Sequence, residues 1–123
     1  MRPEDARPRL AALGFGAADV ETLAEHFLAA ERKGSVSHGL GRIEWLESWP
    51  SLEAEARPRR VVADESYERW DGAGALGYLT LAEVVESQLA APPERARLVV
   101  CARTFPTGML GYWTRRLADG GLV

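Results

Sequence analysis

The hydrophobic pattern of this chain changes its period near Pro50, and that change limits what the chain can fold into. Before this proline, apolar residues recur at the three- and four-residue spacing of a helix surface, as at Leu23, Phe27, Leu28 and Ala30. After it, short apolar and aromatic runs alternate with helical segments. We therefore expect an all-helical first segment, followed by a mixed segment of strands and helices.

Three helices are predicted in the first segment, and a glycine or proline ends each of them. Gly14 and Gly34 end the first two helices, and Pro50 ends the third, because the residue before a proline avoids the helical conformation. Asp19 is the expected N-cap of the second helix, since its side chain can accept an unpaired backbone N–H group. The predicted helices cover residues 5–13, the segment between Asp19 and Gly34, and the segment from Ser37 to Trp49.

The second segment is predicted to contain strands and helices in alternation. Short strands are expected over residues 61–63 and 67–70, and a longer apolar strand over residues 97–102. Helices are expected over residues 79–89 and 108–118. The predicted fold is mixed, of the α+β or α/β class. Its parts are a helical segment over residues 1–50, a linker and first strand over residues 51–65, and a strand-helix-strand-helix unit over residues 66–123.

Composition and charge exclude several classes of function. The chain has 123 residues and a net charge of -3, which fits one globular domain without the basic surface that nucleic-acid binding needs. No apolar run approaches the roughly 20 residues of a membrane span, and the N-terminus lacks the apolar core of a signal peptide. We therefore expect a cytoplasmic protein that binds neither nucleic acid nor a membrane.

Several polar residues are interpreted as structural. With two histidines and one cysteine, the chain cannot assemble a zinc site of the usual kind. His26 is expected on a helix surface, and Cys101 is expected to be inert within its strand. The one dense group of basic residues is expected in a solvated loop and consists of Arg57, Arg59 and Arg60.

Residues 72–77 follow the pattern G-x-G-x-x-G between a predicted strand and a predicted helix, which is the context of a dinucleotide-binding loop. Three features oppose that interpretation. The preceding strand, Y-E-R-W, is polar where a central parallel strand should be apolar, and Asp71 would repel a phosphate. Arg103 and Thr104 stand where an acidic residue would bind a ribose. We therefore interpret the glycines as serving a turn with positive φ and close packing of the helix.

Ser37, His38 and Gly39 follow the second predicted helix directly, and Arg42 lies three residues beyond Gly39. A hydroxyl, an imidazole and a guanidinium at one corner can together hold a small carboxylate. If the third helix begins near Ser37, His38 and Arg42 lie on the same face of it. A structural interpretation stays open beside this one, in which Ser37 only caps the helix.

Taken in order, these segments resemble the N-terminal part of the malate/L-lactate dehydrogenase family. This is the non-Rossmann NAD(P)-dependent type, which includes ureidoglycolate dehydrogenases and cyclic-imine reductases. The matching segments are L-G-F at residues 13–15, G-x-x-S-H-G-x-x-R at 34–42, W-D-G at 70–72 with Gly74 and Gly77, and G-x-x-G-Y at 108–112. The resemblance implies a 2-oxo or 2-hydroxy acid substrate, NAD or NADP as cofactor, and a homodimer. It also implies that Ser37, His38 and Arg42 belong to the substrate pocket.

The chain departs from the family pattern in two respects. The family's proton-transferring histidine corresponds to Pro106, whose side chain has no titratable group. Family members are also considerably longer, and their cofactor binds largely on residues further along the chain. We therefore expect this chain to be a truncated homologue in which most of the cofactor region is missing.

Three hypotheses of function follow. The first is an incomplete oxidoreductase that contributes its substrate-pocket corner to an assembly with a partner chain carrying the cofactor region. The second is a non-catalytic module for dimerisation or interaction, a degenerate paralogue, which the replacement at Pro106 favours. The third is a small stand-alone enzyme that uses His38 as acid and base.

Overall fold

A computed structural model describes all 123 residues of the chain. The chain divides into two compact units, Met1–Glu55 and Ala56–Val123. Together the units contain five α-helices and one three-stranded sheet, which confirms the predicted mixed class. None of the helices is both long enough and apolar enough to cross a membrane.

The first unit is entirely helical. A 3-10 turn at Pro3–Asp5 leads into helix α1, and a second 3-10 turn at Val36–His38 separates the last two helices. The α-helices of this unit are α1 (Ala6–Ala12), α2 (Ala17–Arg32) and α3 (Gly41–Glu47). Their buried apolar side chains form one core: Ala6, Leu10, Phe15, Val20, Leu23, Ala24, Phe27, Ala30, Leu40, Ile43 and Leu46. At its surface, Arg9 donates two hydrogen bonds to the Glu47 carboxylate and ties α1 to α3.

Two predicted helix starts in this unit are wrong. Helix α2 begins at Ala17 with Gly16 as its N-cap, so Asp19 lies in the first turn rather than at the cap. Its negative charge there still complements the positive end of the helix dipole. The third helix does not begin near Ser37, because Gly39 interrupts it with φ -91 and ψ -147. Helix α3 therefore starts only at Gly41, with Leu40 as N-cap.

The second unit is built on a three-stranded sheet. Its strands are β1 (Arg59–Ala63), β2 (Tyr67–Asp71) and β3 (Leu98–Ala102), and its helices are α4 (Gly77–Ala90) and α5 (Leu110–Asp119). The strand order is β1-β2-β3, with β1 antiparallel to β2 and β2 parallel to β3. Helix α4 therefore connects two parallel neighbours, and β2 is the central strand of the sheet.

The polar sequence of β2 is compatible with its central place because its buried side chains are paired. Glu68 is 3% exposed, and its carboxylate accepts hydrogen bonds from the indole N–H of Trp70 at 3.0 Å and from the Gln88 amide at 2.9 Å. Arg60 and Arg97 add their charges at 3.4 and 3.7 Å. Burial alone would raise the pKa of Glu68, but these hydrogen bonds and the two guanidinium groups lower it overall.

This pairing corrects two expectations from the sequence. A polar strand can be the central strand of a sheet, beside a parallel neighbour, when its buried carboxylate has hydrogen-bond and charge partners. Arg59 and Arg60 lie in β1 rather than in a solvated loop. Arg60 contacts both Glu68 and the ring of Trp70, with its guanidinium carbon 5.8 Å from the ring centroid.

Candidate functional site

The segment Ser37–Arg42 forms a corner between α2 and α3, which we call the Arg42 corner. Helix α2 ends in a tight turn in which Gly34 has φ +74 and the Ser35 N–H group bonds the Ala30 carbonyl at 2.9 Å. A glycine at this position relieves the strain that a side chain would meet at positive φ. The 3-10 turn at Val36–His38 contacts both α2 and α3, and α3 begins three residues after it at Gly41.

Glu31 fixes the middle of the Arg42 corner. Its carboxylate accepts the backbone N–H group of Leu40 at 2.8 Å, which satisfies a donor at the start of α3. The side chain lies so close to Gly39 that a Cβ atom there would overlap it. Gly39 is thus needed for close approach, and the sequence analysis missed Glu31 because its contact spans a turn of nine residues.

Arg42 is held on two sides. Its Nε–H group donates to the backbone carbonyl of Ser37 at 2.8 Å, and its guanidinium carbon lies 5.5 Å from the ring centroid of Trp45. The predicted sharing of one helix face by His38 and Arg42 is wrong, because Gly39 interrupts the helix between them. The structure instead brings Arg42 to the main chain of Ser37.

The remaining donors of Arg42 are available to a ligand. The guanidinium is half-buried, and its Nη1 and Nη2 atoms have no hydrogen-bond partner in the described chain. With Nε occupied, these two nitrogens form an end-on fork that matches the two oxygens of a carboxylate. The geometry therefore gives Arg42 the chemistry of a small-acid binding site.

His38 and Ser37 border this fork in sequence but differ in burial. Ser37 is exposed, and His38 is half-buried with an Nδ1 atom that is shielded from water and has no hydrogen-bond partner. The other ring nitrogen, Nε2, also lacks a hydrogen-bond partner but is not shielded. It can accept or donate one hydrogen bond, according to its tautomer, and is the atom of His38 that a ligand can reach.

His26 lies in the interior of the helical unit, so its predicted surface position is wrong. It is fully buried, and burial lowers its pKa to about 4, with a smaller contribution from the charge of His38. Its place was readable from the helical period, since it follows Leu23 by three residues and precedes Ala30 by four. At neutral pH this imidazole is uncharged.

The glycine-rich segment of the second unit does not fit a dinucleotide. Five of the backbone N–H groups in and next to it are bonded to the chain itself, including that of Tyr78 in the first turn of α4, which donates to the Pro106 carbonyl at 3.1 Å. The other four belong to Gly72, Ala73, Gly74 and Ala75. A pyrophosphate needs such donors free at a helix N-terminus, and the occupied donors therefore favour the structural interpretation of the glycines.

The glycines have structural causes instead. Gly74 has φ +87, and a Cβ atom on Gly77 would overlap the carbonyl of Pro106. Asp71 closes the turn by accepting the Ala73 N–H group at 2.8 Å and pairing with Arg103 at 2.9 Å. The Arg103 guanidinium and this N–H group hold the pKa of Asp71 at about 2, so the carboxylate that closes the turn is ionised at neutral pH.

Pro106 is buried in the loop between β3 and α5. Its carbonyl serves helix α4, and its side chain offers neither a proton nor a metal ligand. Cys101, in β3, is half-buried, and burial raises the pKa of its thiol, which makes it a weak nucleophile. No group of three histidine, cysteine or acidic side chains in the chain could hold a metal ion.

Known proteins resemble this chain in sequence and in structure. The sequence matches the model of the malate/L-lactate dehydrogenase family over residues 6–123. A putative malate/lactate dehydrogenase from E. coli is similar in structure, with a TM-score of 0.86 and 21% identity, over 97% of this chain and 34% of that one. Malate dehydrogenase from Entamoeba histolytica gives a TM-score of 0.86 at 17% identity, with the same shares of 97% and 34%.

A further solved structure agrees with these two. Sulfolactate dehydrogenase from Methanocaldococcus jannaschii gives a TM-score of 0.83 at 20% identity, over 97% of this chain and 37% of that one. No curated protein sequence matches the chain. The matches define a class of oxidoreductases that act as dehydrogenases. The chain belongs to the malate/L-lactate dehydrogenase family, and it spans about a third of the length of the structures it matches.

Proposed function

We propose that this chain supplies the carboxylate-binding corner of an NAD(P)-dependent oxidoreductase for a small 2-oxo or 2-hydroxy acid. The observation that carries the proposal is the end-on fork of Arg42, which has two unpaired nitrogens and is held by Ser37 and Trp45. Membership of a dehydrogenase family supports a substrate of this kind. His38, through its accessible Nε2, is the proposed second contact to the substrate.

The cofactor and the proton donor are proposed to be held by polypeptide outside these residues. Most N–H groups of the glycine-rich segment are occupied by the chain itself, and Pro106 stands where the family pattern places a histidine. The proposed carrier is a partner chain with the remaining part of the family fold, in an assembly located in the cytoplasm. Alone, the chain is therefore expected to bind a carboxylate without reducing it.

The test is a titration of the purified chain with oxamate, a 2-oxo acid analogue, followed by calorimetry or by the NMR signals of the Arg42 side chain. Arg42→Gln should weaken binding about tenfold or more, because a bidentate charge-assisted pair is lost. Arg32→Gln is the matched control, since Arg32 is an exposed arginine of the same unit without a hydrogen bond or ion pair. Equal losses in both variants would refute the assignment of Arg42.

A second titration examines the cofactor part of the proposal. NADH and NADPH should bind the chain no more tightly than about the millimolar range. Micromolar binding of either nucleotide would mean that this chain holds a cofactor site and that the glycine-rich segment rearranges to form it.

An interaction module is the second candidate, and the edge of the sheet favours it. Strand β3 pairs only with β2, and its sequence L-V-V-C-A carries no charge or proline to protect its free edge. Leu98 and Val100 are 63% and 38% exposed. If copies of the chain pair through this edge, Val100→Lys should convert a dimer to a monomer in light scattering, whereas Val62→Lys on β1 should leave it intact. A monomeric wild-type chain would contradict this candidate.

A further inference from the structure

The orientation of Arg42 depends on an aromatic side chain of its own helix. Arg42 and Trp45 are three residues apart in α3, a spacing that places their side chains next to each other. The guanidinium carbon lies 5.5 Å from the ring centroid of Trp45, within the range of a cation-π contact. Trp45 is half-buried, so that water reaches this contact only in part.

Trp45 is itself held by a second ring. The ring centroids of Trp45 and Trp49 are 5.1 Å apart with an interplanar angle of 32°, and both side chains are half-buried. Trp49 lies two residues beyond the end of α3. Trp45 therefore contacts both the guanidinium of Arg42 and the ring of Trp49.

The two contacts of Arg42 constrain different parts of its side chain. The Ser37 carbonyl fixes the Nε–H direction at 2.8 Å, and the ring of Trp45 covers the guanidinium. With only one of these contacts, the Arg42 side chain could still rotate about its bonds. Ordering such a long side chain at the moment of ligand binding has a substantial entropic cost. Together the two contacts hold the guanidinium and leave Nη1 and Nη2 without a hydrogen-bond partner before any ligand binds.

We propose that Trp45 is a positioning residue for the carboxylate-binding guanidinium of Arg42. It does not touch the substrate; it lowers the cost of binding by holding the Arg42 fork in place in the free protein. The proposal deepens the proposed function and rests on it insofar as Arg42 binds a carboxylate. The pre-ordering of Arg42 by Trp45 is a property of the chain without ligand.

The experiment compares Trp45→Leu, Trp45→Phe and the matched control Trp49→Leu. In each variant the Nε–H signal of Arg42 is followed by NMR, for its chemical shift and its rate of exchange with water, and oxamate affinity is measured beside it. Trp45→Leu should speed the exchange and weaken oxamate binding about five- to tenfold, the size of a partly desolvated cation-π contact. Trp45→Phe keeps an aromatic face and should restore most of both.

Trp49→Leu should have a smaller effect on both readouts than Trp45→Leu, because Trp49 contacts Trp45 and acts on Arg42 only through it. The proposal is overturned if Trp45→Leu leaves the Arg42 exchange rate unchanged, or if Trp49→Leu has the same effect as Trp45→Leu. If wild-type protein binds no oxamate, the proposed function fails, and the exchange rate of Arg42 alone then decides whether Trp45 positions it. Circular dichroism confirms that each variant remains helical.

Discussion

Acidification from pH 7 to pH 5 should destabilise the helical unit through a single buried histidine. His26 is fully buried with a pKa of about 4, whereas an exposed histidine of the unfolded chain titrates near 6.5. Because the unfolded chain binds the proton more readily, stability is complete above about pH 6.5 and is lost as pH falls toward 4. A shift of this size corresponds to about 3 kcal/mol in total, of which about 2 kcal/mol should be lost between pH 7 and pH 5.

The assay is urea unfolding followed by helical circular dichroism at pH 7, 6 and 5. The chain has only two histidines, so the variants His26→Gln and His38→Gln separate their contributions. Wild type should lose about 2 kcal/mol of unfolding free energy, and His26→Gln should lose little over the same range. In His38→Gln the loss should persist but be slightly smaller, since the charge of His38 also lowers the pKa of His26. An undiminished loss in His26→Gln would refute this reasoning.

Two further substitutions probe close contacts in the two units. Gly39→Ala should destabilise the helical unit by about 1–3 kcal/mol in urea unfolding, because the new methyl group displaces the Glu31 side chain from the Leu40 N–H group. The double variant with Glu31→Ala should lose less stability than the sum of the two single variants, and strict additivity would show that the two residues do not interact. Glu68→Ala should lower the free energy of unfolding by about 3 kcal/mol, because it removes a carboxylate that pairs with the guanidinium of Arg97, a side chain that is only 8% exposed. An unchanged stability would show that the Arg97 charge is in contact with water.

The elements of the second unit were predictable because their signals are local. The apolar run before Arg103 and the turn at residues 64–66 mark strands directly, and the structure places β2 and β3 within about one residue of the predicted bounds. Helix α4 begins two residues before its predicted start. The buried place of Glu68 was not predictable in the same way, since its partners come from β1, α4 and the residue before β3.

The Arg42 corner shows a different limit. The sequence predicted a substrate-binding corner at Ser37, His38 and Arg42 and placed these residues on one continuous helix, since only the glycines between them argue against a helix. The break depends on the Glu31 carboxylate, which occupies the space beside Gly39 and bonds Leu40. A contact across a turn of this kind is set by packing, and no periodicity records it. The contact between Trp45 and Arg42, by contrast, could be predicted from their spacing of three residues in a helix.

The glycine-rich segment shows how a motif can keep its fold context and lose the chemistry associated with it. It follows a strand, opens a helix and lies between two parallel strands, which is the setting of a dinucleotide loop. The loop after β3 gives the glycines another role. The Pro106 carbonyl accepts a hydrogen bond from the Tyr78 N–H group and leaves no space for a side chain at Gly77. The Tyr78 N–H group in the first turn of α4 is thus satisfied by the chain's own backbone, and Asp71 is paired with Arg103. The glycines therefore have a structural role, because they let the loop after β3 pack closely on α4.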